Sequence, residues 1–207
     1  MSTATQEQTL VTLTINRDLL TDLITGALVA ADKSKAALSR TGSIYLGVSN
    51  GKITVKSTDR YRLVYGAADI DALDIEDMQI LVADAKRILA LIKDNKMASD
   101  ITLTRAADSL SVAALGNSLT IYLMGDKFPD IEQLMSKDLA DLSAISLNAE
   151  YLGSFAKVPT SDKENRIDLQ FTASSIGGQT MATQIKIHVP HDSIDWRCLL
   201  MPMKVRS

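Results

Sequence analysis

Val11-Thr-Leu-Thr-Ile-Asn-Arg-Asp-Leu-Leu-Thr-Asp-Leu-Ile-Thr-Gly-Ala-Leu28 changes its hydrophobic period half-way, and that change decides the fold. Up to Ile15 apolar and polar residues alternate, which predicts a half-buried strand. Asn16 is a good helix cap. Beyond it Leu19, Leu20, Leu23, Ile24, Ala27 and Leu28 fall three and four apart, which predicts an amphipathic helix. The pattern returns twice. Residues 79–82 precede a predicted cap at Asp84 and a helix carrying Ile88, Leu89, Leu91 and Ile92. Residues 144–147 precede a cap at Asn148 and a helix carrying Tyr151, Leu152 and Phe155. Repeats at a near-constant interval define an architecture before any single element does.

Each helix is followed by three short strand-like runs. In the first unit they cover residues 43–48, 53–57 and 61–67, with Asn50-Gly51 at the first turn, a strong hairpin signal. In the second they cover 101–105, 110–114 and 119–124, with Gly116-Asn117 at the last turn. In the third they cover 167–172, 183–189 and 196–205. The expected fold class is α+β: three βαβββ units with antiparallel sheets and helices on one side. One such unit cannot cover both its helix and its sheet, so two must pack together. Residues 10–129 then form a complete domain of two units. Residues 143–205 form half of another, without a partner in the same chain.

Composition limits what such a chain can do. Of 207 residues, 46% are apolar and 23% charged, the balance of an ordinary globular protein. The net charge is −3, so a grip on DNA phosphates has to come from a local patch rather than from the whole surface. No apolar run reaches the roughly 18 residues of a membrane helix, so no membrane partner is expected. The polar start, residues 1–9, offers no export signal, and the single Cys198 suits a reducing compartment; both point to the cytoplasm.

Three short motifs carry a family resemblance. Ser57-Thr-Asp-Arg-Tyr-Arg-Leu63 resembles the Thr-Asp-Gly-His-Arg-Leu signature of the bacterial DNA polymerase III β sliding clamps. Gly125-Asp-Lys-Phe-Pro-Asp130 is similar to that family's Gly-Lys-Phe-Pro-Asp-Tyr link between its last two domains. Leu199-Leu-Met-Pro-Met-Lys-Val205 is similar to its Val-Met-Pro-Met-Arg-Leu ending. The resemblance implies the DNA-clamp fold and a non-enzymatic processivity factor. It would encircle double-stranded DNA without reading sequence, and would tether DNA polymerase and clamp loader through short linear peptides. Carried over by motif, the peptide groove comprises Thr58, Arg60, Tyr61, Arg62, Leu63, Leu199, Leu200, Met201, Pro202, Met203 and Lys204. Arg60 stands where the family has glycine and Tyr61 where it has histidine, which implies a narrower pocket. Residues 10–135 match the family's middle domain and 143–205 the second half of its last, a shortening that points to a phage or mobile-element version. Six domains close a ring in the family. Chains of three units therefore imply a homo-oligomer, a tetramer by unit count.

The remaining candidate residues also admit ordinary structural roles. On the second helix Lys86, Ala90, Lys93 and Met97 share the face opposite Ile88, Leu91, Ile92 and Asn95. Lys33, Lys35 and Arg40 follow the first helix, and Lys157 lies at the end of the third. Since clamp helices line the channel, the resemblance implies phosphate contacts at Lys33, Lys35, Arg40, Lys86, Lys93 and Lys157. The alternative is a solvated helix face, which Asp18 and Asp22 on the first helix favour. The tail after Trp196 also reads as a core-edge strand whose methionines fill gaps. His188 and His191 read as edge residues rather than metal ligands, and Cys198 as a packed thiol. No phosphate loop or nucleophile motif is present. No catalytic residue, cofactor or metal is expected. A clamp-like adaptor or decoy, binding partner peptides without encircling DNA, is the competing function.

Overall fold

The computed structural model describes residues 10–34, 41–126, 128, 145–163, 166–176 and 179–203. In chain order these form β1 (Val11–Asn16), α1 (Arg17–Ala30), β2 (Ser43–Ser49), β3 (Lys52–Thr58), β4 (Arg62–Asp69) and β5 (Ile75–Leu81). There follow α2 (Val82–Asp94), β6 (Asp100–Arg105), β7 (Ser109–Ala114), β8 (Asn117–Tyr122), α3 (Ala149–Ser154), β9 (Asp168–Ile176), β10 (Gln179–Val189) and β11 (Asp195–Leu200).

Two of the three expected caps form. Asn16 accepts from the backbone N–H groups of Asp18 and Leu19, and Asn148 from those of Glu150 and Tyr151. Asp84 is not a cap. β5 runs straight into α2, the cap position is Leu81 with no side-chain bond, and Asp84 sits in the first turn paired with Arg87 at 2.8 Å. Its carboxylate still faces the positive end of the helix.

The third unit departs furthest from the pattern. Its first strand is reduced to a single bridge, Ser146 to Met203. Its helix is six residues long, followed by a 3-10 turn at Phe155–Lys157. Gly153 weakens that helix and Pro159 forbids its continuation. β11 ends at Leu200 rather than running to 205, and β8 starts at Asn117, because Leu115-Gly116 forms the turn before it.

Units one and two exchange their first strands. β1 pairs with β6 of unit two, and β5 pairs with β2 of unit one. The result is a four-stranded sheet, β1-β6-β7-β8, and a seven-stranded sheet, β5-β2-β3-β4-β11-β10-β9, antiparallel at every paired interface. Unit three enters the second sheet through β11, which pairs with β4 over six residues from Asp195↔Ala67 to Leu200↔Arg62. α1 and α2 bury their apolar faces, Leu20, Leu23, Ile24, Ala27, Ala85, Ile88 and Ile92, in one core shared with unit three's Phe155, Ile185, Ile187 and Trp196. On the third unit, expected to lack a partner in the same chain, Ile185 and Ile187 are nonetheless fully covered; Ile167 is half-buried and Leu169 exposed.

Trp196 fixes the join. It faces Gly66 across the β4–β11 ladder, and its ring reaches Gly26 on α1. A Cβ built at either glycine overlaps the indole ring. The side chain is fully buried, and its Nε1 has no hydrogen-bond partner among the described residues. An indole buries roughly 200 Å², about 5 kcal/mol of transfer free energy, against about 1–3 kcal/mol for the unpaired donor. Burial wins. Gly26→Ala, ordinarily a gain of about 1 kcal/mol in a helix, is therefore expected to lower stability by about 1–3 kcal/mol through overpacking. Urea denaturation of Gly26→Ala alone and in a Trp196→Phe background checks this: the smaller ring should remove most of the loss.

Candidate functional site

The connection from β3 to β4 is built on one carboxylate. Oδ1 of Asp59 accepts from the backbone N–H groups of Tyr61 (3.0 Å) and Arg62 (2.8 Å), and Oδ2 accepts from Nε (3.0 Å) and Nη2 (2.6 Å) of Arg62. The Thr58 hydroxyl donates to the Arg62 carbonyl at 2.7 Å and accepts from the Arg60 N–H at 3.1 Å. Asx and hydroxyl turns of this kind close short loops without help from neighbouring elements. The closure forces Arg60 into the left-handed region, φ +77°, where glycine is at ease and a side chain costs about 1–2 kcal/mol. The residue is exposed.

Beyond the turn, sequence-distant segments converge. The Met201 N–H donates to the Tyr61 carbonyl at 2.9 Å, one step past the end of β11, and the Met203 N–H donates to the Ser146 carbonyl at 2.8 Å. The tail thus runs from the start of β4 to the segment that leads into α3. From α3, Tyr151 lies under the Arg62 guanidinium, 4.5 Å from ring centroid to Cζ, and tilts 30° against Tyr61 at 5.8 Å. Ser154 accepts from Nη1 of Arg62 at 2.6 Å. Tyr61, Met201 and Met203 are 53%, 43% and 51% exposed. Two exposed thioethers on the tail and an exposed aromatic ring on the turn offer adaptable apolar surface.

The other residues of the expected groove lie elsewhere. Leu200 is fully buried in the core and offers nothing at the surface. Leu63 and Leu199 stand opposite each other on β4 and β11 and are buried with Tyr65 and Phe128 against the other face of the sheet. Phe128 also meets Tyr45 edge-on at 4.8 Å, so the segment after β8 crosses this face. Pro202 is half-buried in the tail, and Lys204 lies outside the described residues. Tyr151 and Ser154 are the residues that sequence reasoning missed. Tyr151 was read as helix core, and no spacing signal ties it to an arginine 89 positions earlier.

Two of the expected basic residues, Lys33 and Lys157, line one cavity beside the turn. A cavity of about 280 Å³ is lined by Asp32, Lys33, Asp59, Arg62, Tyr151 and Lys157, among others. Partial desolvation there, followed by the positive charges of Lys157, Lys86 and Arg62, holds Lys33 below the ordinary lysine range. Lys33, Arg62 and Lys157, scattered through the sequence, thus line one cavity together. Lys86, Lys93 and Lys157 are exposed, and α2 turns Ile88, Ile92 and Asn95 inward while Lys86, Ala90, Lys93 and Met97 face out. Lys35 and Arg40 lie outside the described residues. His188 and His191 hold local structure. His191 accepts at Nδ1 from the N–H groups of Ser193 and Ile194 and lies 3.4 Å from Asp22 through Nε2; His188 Nδ1 is 3.3 Å from the Trp196 carbonyl. Among the described residues no three His, Cys, Asp or Glu side chains gather as a metal site. Burial pushes the Cys198 thiol far up, which makes it a poor nucleophile. No described helix is long and apolar enough to cross a membrane.

No family model matches the chain, and no curated protein matches it. Solved structures do. The DNA polymerase III β subunit of Thermotoga maritima superposes with a TM-score of 0.67 at 11% identity, covering 100% of this chain and 68% of that one. The β subunit of Borrelia burgdorferi, solved with a natural product, gives 0.76 at 11% identity, covering 100% and 67%. The sliding clamp of Bacillus subtilis gives 0.62 at 13%, covering 100% and 67%. The chain has the sliding-clamp fold. It matches about two thirds of the length of these clamps. Identities this low establish the fold and leave function to the residues. If the left-handed Arg60 is strained on this clamp scaffold, Arg60→Gly should raise stability by about 0.5–1 kcal/mol. Asp59→Ala, which strips four hydrogen bonds from the turn, should lower it by about 1–3 kcal/mol. Thermal melts of both variants test the turn.

Proposed function

We propose that this chain is a DNA sliding clamp that closes as a homo-oligomer around duplex DNA and tethers a polymerase and a clamp loader through short peptides. In this reading it performs no chemistry and works in the cytoplasm. Residues 10–129 act as a complete clamp domain and 143–205 as half of one, completed by a neighbouring copy; four chains then supply the twelve units of a six-domain ring. The observation that carries the reading is the meeting of the 58–62 turn with the tail at Met201 on a clamp scaffold, with Tyr61, Met201 and Met203 exposed. Both segments are those whose motifs resemble the clamp family. The partner peptide is rich in Gln, Leu and Phe, as the resemblance implies. Its apolar side chains pack on Tyr61 and the two methionines, and the Arg60 side chain at the rim narrows the choice.

DNA contact in this reading is electrostatic and sequence-blind. Lys33, Lys86 and Lys157 form one positive neighbourhood and Lys93 extends it along α2. Flexible ammonium stems meet phosphates without fixing position, which suits a ring that must slide. Retention depends on topology rather than on tight contact, so a net charge of −3 is compatible with it.

Two measurements test the parts separately. Titration of a Gln/Leu/Phe-rich peptide should show that Tyr61→Ala with Met203→Ala weakens binding about tenfold or more, in line with loss of apolar anchors. Unchanged affinity would move the groove elsewhere. For DNA, Lys86→Glu/Lys93→Glu should flatten the dependence of log K on log salt by about two, because each neutralised phosphate releases about 0.9 counterion. Peptide affinity should not change. Retention of the loaded oligomer on circular DNA at a salt concentration that strips it from linear DNA would support encirclement; equal, rapid loss from both would sink it.

A further inference from the structure

Three cations line one cavity, and the carboxylates beside them are engaged elsewhere. Lys33 lies just past α1, Arg62 opens β4 and Lys157 closes the 3-10 turn after α3; all three line the cavity of about 280 Å³. Asp59 takes the Arg62 guanidinium and two backbone N–H groups of its own turn, and Asp32 accepts from the Ser34 N–H. The Arg62–Asp59 pair cancels, which leaves Lys33 and Lys157 against Asp32. Neither lysine has an ion pair among the described residues. The charges that act most on Lys33, those of Lys157, Lys86 and Arg62, are all positive. Residues 35–40, Lys-Ala-Ala-Leu-Ser-Arg, add two cations to the chain beyond Lys33 and no carboxylate. A partly desolvated positive charge is relieved by an anion, not by more cations.

We propose that this cavity is a phosphate site in which Lys33 and Lys157 take one phosphate group beside Arg62, and that the bound anion fastens α3 to unit one. Phosphate fits better than carboxylate. The two ammonium groups come from different segments, and a phosphate turns oxygens in several directions with up to two charges, where a carboxylate has one charge and two oxygens in a plane. α3 needs the help: it has six residues, none fully buried, and a helix this short is marginal by itself. Phe155 just beyond it and the contacts of Tyr151 and Ser154 with Arg62 hold it in place. An anion between Lys33 and Lys157 adds a second tie across the same junction. The site stands apart from the clamp reading and rests on it only for a consequence. Tyr151 lies under Arg62 and beside Tyr61, so fastening α3 steadies the surface offered to the peptide, and phosphate and peptide then strengthen each other by the same factor.

The test uses the full chain with inorganic phosphate as the probe, chloride replacing it at equal ionic strength. Calorimetric titration should show saturable binding to wild type, an affinity about tenfold or more lower in Lys33→Met/Lys157→Met, and no change in Lys96→Met, an exposed cation outside the cavity. Phosphate should also slow hydrogen exchange about fivefold at the Leu152 N–H, which donates to the Asn148 carbonyl within α3, and should do so in wild type but not in the double variant. The single variant Lys157→Met replaces the double if cooperative melting is lost. A short DNA duplex that displaces the phosphate identifies a backbone phosphate as the ligand, and one that leaves it in place identifies a free phosphate or a phosphate monoester; either keeps the site. No binding beyond that of chloride, binding undiminished in the double variant, or exchange at Leu152 that phosphate leaves unchanged would each overturn the proposal. No peptide enters these measurements, so the clamp reading and the phosphate site fail separately.

Discussion

Trp196 holds the molecule to one arrangement. A half-domain that shared only a strand edge with its neighbour would be free to slip in register or to pivot about the ladder. The indole removes both freedoms. It lies over Gly66 across the ladder and against Gly26 of α1, so shifting β11 by two residues along β4 would replace glycine with Val64 or Ala68 and lose the recess. Because α1 also packs on β3 and β4, one side chain ties unit three to both layers of unit one. The tail that follows β11 inherits this precision. Met201 can reach the Tyr61 carbonyl only because Leu199 and Leu200 are already fixed opposite Leu63 and Arg62.

A similar economy shapes the turn. Arg62 is bound by Asp59, Ser154 and the Tyr151 ring at once, so its charge is engaged and its stem serves as a wall. The flexible side chains, Met201 and Met203, are added to that rigid frame rather than built into it. Rigid polar scaffolding under soft apolar side chains is what the proposed peptide surface needs to accept several ligands without rebuilding its backbone. Arg60 is the exception, a residue held in a glycine conformation at the exposed rim; strain kept at such a position points from geometry to function.

Much of this was legible in the sequence, and the limits follow from period and distance. β1 and the start of α1 could be read to within a residue because Asn16 separates a period of two from a period of 3.6. Asp84 misled because an acidic residue near a helix start looks like a cap whether it sits at the cap or in the first turn; only the backbone path of β5 distinguishes them. The short α3 was overread for the opposite reason. Tyr151, Leu152 and Phe155 satisfy helical spacing over too few residues to reveal that Gly153 and Pro159 end it. The turn and tail motifs were visible as strings, but their meeting was carried by resemblance rather than by pattern. The Trp196 recess was invisible: Gly26 and Gly66 look like a weak helix position and a weak strand position until the third unit lies over them.

The charge arrangement follows from the same packing. An acidic chain with a basic neighbourhood at Lys33, Lys86 and Lys157 gathers positive charge locally, past the ends of α1 and α3 and on α2. Partial burial, and after it the like charges of Lys157, Lys86 and Arg62, leave Lys33 holding its proton less firmly. Such a cluster persists when the fold places it and an anion relieves it. Ion release makes that relief weak at physiological salt for the few phosphates that so few lysines can meet. A surface that attracts DNA without holding it is of little use to a protein that binds by affinity alone. It would suit the proposed ring, where closure of the oligomer around the duplex supplies retention and tight contacts would only slow the sliding.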